Sequence, residues 1–189
     1  DELLELLCKA NAQYVLDDMR NPGNPIDVEF NGILRPDQVL AANELLKHEI
    51  GILSATTAFG KTVVASYIIS QRKTNTLILV HTSALLEQWH KSLSQFLTIN
   101  EPLPENPKKR GHKKELSIIG QLGNSKNTLV GKIDIAIMQS LVSGEDVKEL
   151  VRTYGLVIVD ECHHVSAVSF EKILKNVPAK FVYGLTATP

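Results

Sequence analysis

The chain has 189 residues and a mass of 20.9 kDa, and its 43% hydrophobic and 22% charged residues exclude a wholly disordered protein and indicate one globular domain. No apolar run approaches the roughly 18–20 residues that span a bilayer, and the acidic first residues exclude the basic start of a signal peptide. The net charge of −1 is unevenly distributed, because residues 1–34 carry seven acidic and two basic side chains whereas residues 35–189 carry fourteen and eighteen.

The first part of the chain predicts a helix set apart from the rest. Its apolar side chains mostly follow i, i+3, i+4, i+7 spacing, so we expect a helix over residues 2–20. The segment of Asn, Pro and Gly at residues 21–25 ends this pattern. We therefore predict an N-terminal helical segment and linker over residues 1–29 and one main domain over residues 30–189. The chain begins with Asp1 rather than Met, which indicates an excised fragment.

From Leu34 onward, short apolar strands alternate with helical patterns. Continuous runs of Ile, Leu and Val are typical of parallel strands that helices cover on both faces. We predict strands at residues 50–54, 76–80, 116–121, 133–138, 156–159 and 181–184. We predict helices at approximately residues 36–48, 62–72, 84–97, 145–153 and 167–175. The third of these helices has an apolar face formed by Leu85, Trp89, Leu93, Phe96 and Leu97. This alternation predicts an α/β fold with a parallel central sheet flanked by helices.

The strongest chemical signal lies at residues 55–62, Ala-Thr-Thr-Ala-Phe-Gly-Lys-Thr, between a predicted strand and a predicted helix. Phosphates bind where backbone N–H groups, a helix N-terminus and a cation meet, and this segment supplies all three. Lys61 is expected to reach the β- and γ-phosphates of a nucleotide, and the Thr62 hydroxyl to ligate Mg²⁺. Ala55 replaces the first glycine of the pattern G-x-x-x-x-G-K-[ST], so a strand–turn–helix that merely contains Gly-Lys-Thr is the alternative.

A long polar loop at residues 99–115 interrupts the alternation of strands and helices. It contains three prolines and the basic run at residues 108–114. One interpretation is a solvated loop without a partner, because basic runs are common in loops. The other is an arm that contacts nucleic-acid phosphates, and the lack of interleaved aromatic residues limits it to backbone electrostatics.

Two neighbouring carboxylates, Asp160 and Glu161, directly follow the strand predicted at residues 156–159. The carboxyl end of a parallel strand faces the ligand crevice of such a sheet. Asp160 can therefore hold Mg²⁺ through water, and Glu161 can orient or deprotonate an attacking water. An acidic turn is the alternative for this pair taken alone, but its position after the phosphate-loop segment favours a shared site.

The run Cys162-His163-His164 raises the possibility of zinc. The other histidines are scattered and none forms a second pair at ligand spacing, which argues against a zinc site. We expect His163 to form hydrogen bonds within the nucleotide site and His164 to be a surface or packing residue.

Six segments, in this order, resemble the motifs of superfamily II helicases of the DEAD/DEAH type. They are residues 34–38 (an adenine motif with glutamine), 55–62 (motif I), 79–89 (motif Ia), 135–141 (motif Ic), 160–163 (motif II) and 185–189 (motif III). The resemblance is closest to the branch that holds type III restriction helicase subunits and XPB-type translocases, and it covers about residues 30–189. It implies a RecA-like P-loop NTPase domain that uses ATP and Mg²⁺.

The resemblance also implies individual roles, with Gln38 reading the adenine edge. The nucleotide-binding residues would be Arg35, Gln38, Thr57, Ala58, Phe59, Gly60, Lys61 and Thr62. The metal residues would be Thr62 and Asp160, and the catalytic residues Lys61 and Glu161. Coupling between nucleotide state and nucleic-acid binding would fall to His163, Thr186 and Thr188. Nucleic-acid contacts would come from His81, Thr82, Ser83 and Gln88.

The partners implied are nucleic acid, expected to be DNA, and the second RecA-like domain of the same parent chain, with no membrane. Because the sequence stops at motif III, we expect a fragment that hydrolyses ATP slowly and does not unwind nucleic acid by itself. The alternative is a nucleotide-binding regulatory or structural module without motor activity. The two widely separated cysteines, Cys8 and Cys162, are typical of a reducing compartment, so we expect a cytoplasmic protein.

Overall fold

The computed structural model describes residues 2–15, 17–103, 117–143, 146–161 and 167–187. Its helices are α1 (Glu2–Lys9), α2 (Pro36–Leu46), α3 (Lys61–Arg72), α4 (Ser83–Phe96) and α5 (Ala167–Lys175). Its strands are β1 (Val28–Phe30), β2 (Ile50–Ser54), β3 (Thr76–Val80), β4 (Leu97–Ile99), β5 (Ile119–Gly123), β6 (Lys126–Asn127), β7 (Ile133–Ile137), β8 (Val142–Ser143), β9 (Asp146–Val147), β10 (Leu156–Asp160) and β11 (Phe181–Thr186). Short 3₁₀ turns occupy Thr57–Phe59, Met138–Ser140 and Glu149–Arg152.

A seven-stranded sheet forms the centre of the described structure, in the order β2-β11-β10-β3-β7-β5-β6. Neighbouring strands run parallel, except that β6 pairs antiparallel with β5. The predicted α/β fold with a largely parallel sheet is thereby confirmed. In the register of this sheet, Ser54 lies beside Thr186 and Leu185 lies beside Asp160. The carboxyl ends of β2, β11 and β10 are therefore immediate neighbours.

The sheet is buried on both faces, and this explains its apolar runs. On one face, side chains such as Ile78 and Ile158 pack in a cluster with residues of α2, α3 and α4. On the other face, Leu77 and Val157 join a cluster that includes Ile173 of α5. Strands that are buried on both faces have no solvent-exposed face, so polar residues do not alternate with apolar ones along them. Within the described part of the chain, no helix is long and apolar enough to cross a membrane.

The N-terminal helix is shorter than predicted. The prediction of a helix over residues 2–20 is wrong beyond Lys9, where α1 ends, and Asn11 adopts a left-handed backbone with φ +50°. Further along the same apolar pattern, Val15 is 96% exposed and Met19 is 82% exposed. Helices gain most of their stability from packing an apolar face, and this face has no such packing.

Other predicted elements also differ from the structure. Residues 146–153 are not the predicted α-helix but contain β9 and a 3₁₀ turn, in which Val151 N donates to the Lys148 carbonyl. The helix predicted to end at residue 97 ends at Phe96, because the chain then enters β4 and pairs antiparallel with β1. The strand predicted at residues 116–121 begins at Ile119 and continues to Gly123, and residue 116 lies outside the described residues.

Residues 21–28 pack onto the amino end of the sheet. The buried amide of Asn75 accepts hydrogen bonds from Asn24 N at 2.9 Å and from Gly155 N at 3.1 Å. Ile26 and Val28 are buried in the same cluster as α3 and α4. This segment therefore anchors the amino end of the sheet, opposite to the carboxyl ends of the parallel strands.

Candidate nucleotide site

The predicted phosphate and carboxylate motifs converge at one edge of the sheet. Strand β11 lies between β2, which leads into residues 55–62, and β10, which ends at Asp160. The backbone N–H of Ala55 donates to the Thr186 carbonyl at 3.0 Å, so the first residue of the loop is bonded directly to the end of β11. Thr186 is 4% exposed. The topology thus brings three segments that are distant in sequence to one edge of the sheet.

The loop between β2 and α3 contains a short helical turn and leads directly into α3. After a 3₁₀ turn at Thr57–Phe59, Gly60 takes φ +80° and ψ +42°, and α3 begins at Lys61. The backbone angle favours glycine, and a Cβ atom at position 60 would lie 2.7 Å from Gln38 Nε2 and displace that amide. The N-terminus of α3, which is the positive end of the helix dipole, therefore directly follows the loop.

Lys61 is the cation of this loop. Its side chain is largely buried, with the residue 7% exposed, and Nζ donates to the Ala55 carbonyl at 3.0 Å and to the Thr56 carbonyl at 3.4 Å. Neutral carbonyl oxygens thus hold the ammonium inside the loop. Because phosphate oxygens are charged acceptors, they can replace these carbonyls with stronger hydrogen bonds. Thr62, half-buried in the first turn of α3, is the next residue along the helix.

Asp160 is a buried carboxylate with a defined orientation. Its Oδ2 accepts a hydrogen bond from Trp89 Nε1 at 2.6 Å, and its Oδ1 accepts one from Glu161 N at 3.0 Å. Burial raises the pKa of the Asp160 carboxyl, and the nearby charge of Glu161 raises it further. The two N–H donors and the Lys61 ammonium act in the opposite direction on this pKa. These two N–H donors and Lys61 therefore favour the ionised form of the Asp160 carboxyl.

Glu161 follows Asp160 in an unusual backbone conformation. Its φ is +51°, in the left-handed region that few residues other than glycine adopt. Backbone strain of this kind costs on the order of 1–3 kcal/mol and is concentrated at functional sites. The side chain is half-buried at the carboxyl end of β10.

Gln38 of α2 and Arg35, which directly precedes this helix, contact the loop between β2 and α3. Gln38 is 2% exposed, and its Oε1 accepts from Arg35 N at 2.9 Å while its Nε2 donates to the Phe59 carbonyl at 2.7 Å. Arg35 Nη2 donates to the same carbonyl at 2.8 Å. Two side chains therefore hold one carbonyl of the loop. The adenine-reading role of Gln38 stays a prediction.

The predicted nucleic-acid residues lie where β3 leads into α4. The Thr82 hydroxyl oxygen accepts a hydrogen bond from Leu85 N at 3.2 Å and so caps α4. Thr82, Ser83 and Gln88 are exposed, and His81 is half-buried. Their contact with nucleic acid stays a prediction. His163, Thr188, the zinc alternative at residues 162–164 and the basic run at residues 108–114 lie outside the described residues.

The sequence did not identify the partner of Trp89. We expected this side chain on the apolar face of α4, and it is indeed 1% exposed within the core. A buried tryptophan usually finds an acceptor for its N–H, which signals that a partner exists. Asp160 is 71 positions away, so only the fold identifies it.

The donor atoms at this edge fit magnesium and phosphate. Among the described residues there is no group of three or more His, Cys, Asp or Glu side chains arranged to hold a metal ion. The crevice offers instead the Asp160 carboxylate and the Thr62 hydroxyl, which are oxygen donors. Mg²⁺ prefers this set, because it keeps several waters and binds one or two carboxylates together with substrate phosphates.

Comparisons with known proteins agree with this geometry. The profile of the family described as "Type III restriction enzyme, res subunit" matches residues 31–189. Protein 109L of Invertebrate iridescent virus 3, which is named as a helicase, is 31% identical to this chain over 164 residues. The match covers 85% of this chain and 46% of the relative. The DNA 3'-5' translocase XPB2 of Sulfurisphaera tokodaii is 30% identical over 156 residues, covering 82% of this chain and 31% of the relative. The chain therefore spans less than half the length of these two relatives.

One solved structure shows the same fold. The crystal structure of the UvsW helicase from Bacteriophage T4 superposes with a TM-score of 0.63 at 17% identity, covering 98% of this chain and 69% of that one.

Proposed function

This chain belongs to the family of type III restriction enzyme res subunits, and from that membership we propose that it is the ATP-binding part of a DNA-directed helicase or translocase. The observation that carries the proposal is that the loop leading to Lys61 lies beside Asp160 and Thr186, which end neighbouring strands, and that Ala55 N of this loop is bonded to the Thr186 carbonyl. If the carboxylate pair were only an acidic turn, or Gly-Lys-Thr a chance match, the two segments would have no reason to lie side by side.

The residues of the crevice divide the work of ATP hydrolysis. Lys61 exchanges its two carbonyl acceptors for oxygens of the β- and γ-phosphates. Thr62 and Asp160 would hold Mg²⁺, which would supply positive charge to neutralise the phosphates. Glu161 accepts the proton of the attacking water.

Contacts around the loop support a coupling role for its neighbours. Because Ala55 is bonded to Thr186, a shift of the loop on binding phosphate is transmitted to the end of β11. The proposed coupling residues Thr186, Thr188 and His163 would carry this shift towards bound nucleic acid. Arg35 and Gln38 fix the opposite side of the loop at the Phe59 carbonyl.

The partner that we propose is nucleic acid, and the name of one relative favours DNA. The Sulfurisphaera tokodaii relative is named as a DNA translocase. Thr82, Ser83 and Gln88 are exposed at the start of α4, where a nucleic-acid backbone can reach them. Since this chain covers only 46% and 31% of these two relatives, they have room for the second RecA-like domain that we propose as its other partner. The cytoplasmic location stays a prediction.

Titration of a fluorescent ATP analogue tests the nucleotide site. Lys61→Ala should lower affinity at least tenfold while circular dichroism shows an intact fold, because the alanine removes the buried cation of the loop. Lys73→Ala is the matched control, since Lys73 is exposed at the other end of α3 and loses the same charge. Equal affinity of native protein and folded Lys61→Ala would refute the assignment of the loop.

A further inference from the structure

The hydrogen bond between Trp89 and Asp160 connects two elements of the site. Trp89 lies on α4 and is 1% exposed, and Asp160 ends β10 and is 7% exposed. Their Nε1 and Oδ2 atoms are 2.6 Å apart, which is short for an N–H donor to a carboxylate. The bond therefore lies in the protein interior, where a charge-assisted bond is strong.

The chemistry of the two groups makes the bond directional. The indole N–H only donates hydrogen bonds. It can therefore donate to an ionised carboxylate, but it cannot accept a hydrogen bond from the O–H of a neutral carboxyl group. Oδ1 of Asp160 is held independently by Glu161 N. Each carboxylate oxygen thus has one fixed donor and keeps lone-pair capacity for a further ligand. The two bonds together define the orientation of the carboxylate plane.

The indole also has a rigid support. Trp89 belongs to the cluster that packs α4 against the sheet, together with the fully buried Leu86 and Leu93 of the same helix. The ring cannot turn without disturbing this packing. Its N–H is therefore a fixed donor to Asp160.

We propose that Trp89 is a positioning residue that holds the Asp160 carboxylate in the orientation required for Mg²⁺. The inference rests on the proposed function, since it assumes that this crevice binds Mg²⁺ with nucleotide. It differs from a packing role in one measurable respect: the N–H of Trp89 controls the affinity for Mg²⁺ and leaves the affinity for the nucleotide without metal unchanged.

The single tryptophan of the chain allows this N–H to be removed by itself. Growth with a benzothiophene analogue of tryptophan replaces only position 89 and keeps the shape of the ring while removing the N–H. Trp89→Phe removes the same donor genetically, and Leu93→Val is the matched control for lost packing on the same helix. If Trp89→Phe does not fold, the analogue still gives the answer.

Two titrations of the 189-residue chain separate the effects, both followed by direct excitation of labelled ADP. The first measures ADP affinity in EDTA, and we expect less than a twofold difference among all forms. The second measures the Mg²⁺ concentration dependence at saturating ADP. We expect Mg²⁺ affinity to fall roughly 10–100-fold in the analogue protein and in Trp89→Phe, as is usual when a partner of a metal ligand is lost. Leu93→Val should match the native protein.

The outcomes distinguish the inference from the function on which it rests. Unchanged Mg²⁺ affinity in the folded analogue protein would overturn the role of Trp89, while leaving the nucleotide site intact. A native chain that binds neither ADP nor Mg²⁺ with ADP would overturn the proposed function, and the inference with it. In the native protein, Mg²⁺ added with unlabelled ADP should also shift the emission of Trp89, and Asp160→Asn should abolish that shift.

Discussion

Replacing Gln38 by methionine should destabilise the domain and weaken nucleotide binding regardless of the base. Gln38 is 2% exposed and makes two hydrogen bonds, to Arg35 N at 2.9 Å and to the Phe59 carbonyl at 2.7 Å. Methionine keeps a similar volume, so the main loss is these bonds. The Arg35 N–H then loses its acceptor, whereas the Phe59 carbonyl keeps the donor Arg35 Nη2.

The magnitude follows from that difference. The Arg35 N–H is only part-buried, so water can replace its acceptor, and the second group remains paired. We therefore expect a loss of about 1 kcal/mol, the net contribution of a typical hydrogen bond. For a domain of this size, that loss lowers the melting temperature by roughly 2–4 °C. Gln71→Met is the matched control, because Gln71 is exposed on α3 and its amide contacts only the neighbouring Ser70 hydroxyl at 3.3 Å.

The assay compares thermal unfolding with the affinities for ATP and GTP. If Gln38 acts by holding the loop, both affinities fall by the same factor in Gln38→Met. If Gln38 reads adenine, as the family resemblance implies, ATP affinity falls and GTP affinity does not. An unchanged melting temperature together with a loss confined to ATP would refute our account of this residue.

Two further predictions concern single positions. Gly60→Ala should lose more unfolding free energy than Gly131→Ala, because both residues have positive φ but only the first would bring a Cβ within 2.7 Å of Gln38 Nε2, and urea titration measures the difference. The control variant should lose about 1–2 kcal/mol from backbone strain alone, and equal losses in the two variants would contradict the steric argument. Burial raises the pKa of Asp134 above 3.8, so its contribution to the unfolding free energy is largest at low pH and is lost as pH rises through the folded-state pKa. Asp134→Asn should therefore flatten the dependence of stability on pH above the ordinary pKa of an aspartate, and an unchanged slope in urea titrations over the same pH values would contradict this.

The sheet was predictable because its sequence signal is local. The continuous apolar runs of β3 and β10 reflect burial on both faces, and the phosphate loop between β2 and α3 follows from the types of residue it contains. The strand order then places Lys61 and Asp160 near each other, as the rule for carboxyl ends of parallel strands requires.

What the sequence did not predict depends on contacts between distant segments. The apolar spacing of residues 10–20 is helical, yet no helix forms among its described residues, because no surface of the domain covers Val15 and Met19. Helical spacing of apolar residues does not show whether another surface of the protein covers them. The bond from Trp89 to Asp160 and the bond from Gln38 to Phe59 likewise join residues far apart along the chain, and the motifs that contain the two donors do not indicate these acceptors.

The central claim is that this chain supplies the ATP-hydrolysing site of a DNA-directed motor, and steady-state ATP turnover of the parent protein, with and without duplex DNA, tests it most directly. We predict that DNA stimulates turnover by the native protein. Glu161→Gln should keep ATP·Mg²⁺ affinity within a few-fold and lower turnover by about 10²–10⁴, because it removes the proposed base and preserves the size of the side chain. Turnover that DNA does not change, or a Glu161→Gln variant within about twofold of the native rate, would contradict the account and favour a nucleotide-binding module without motor activity.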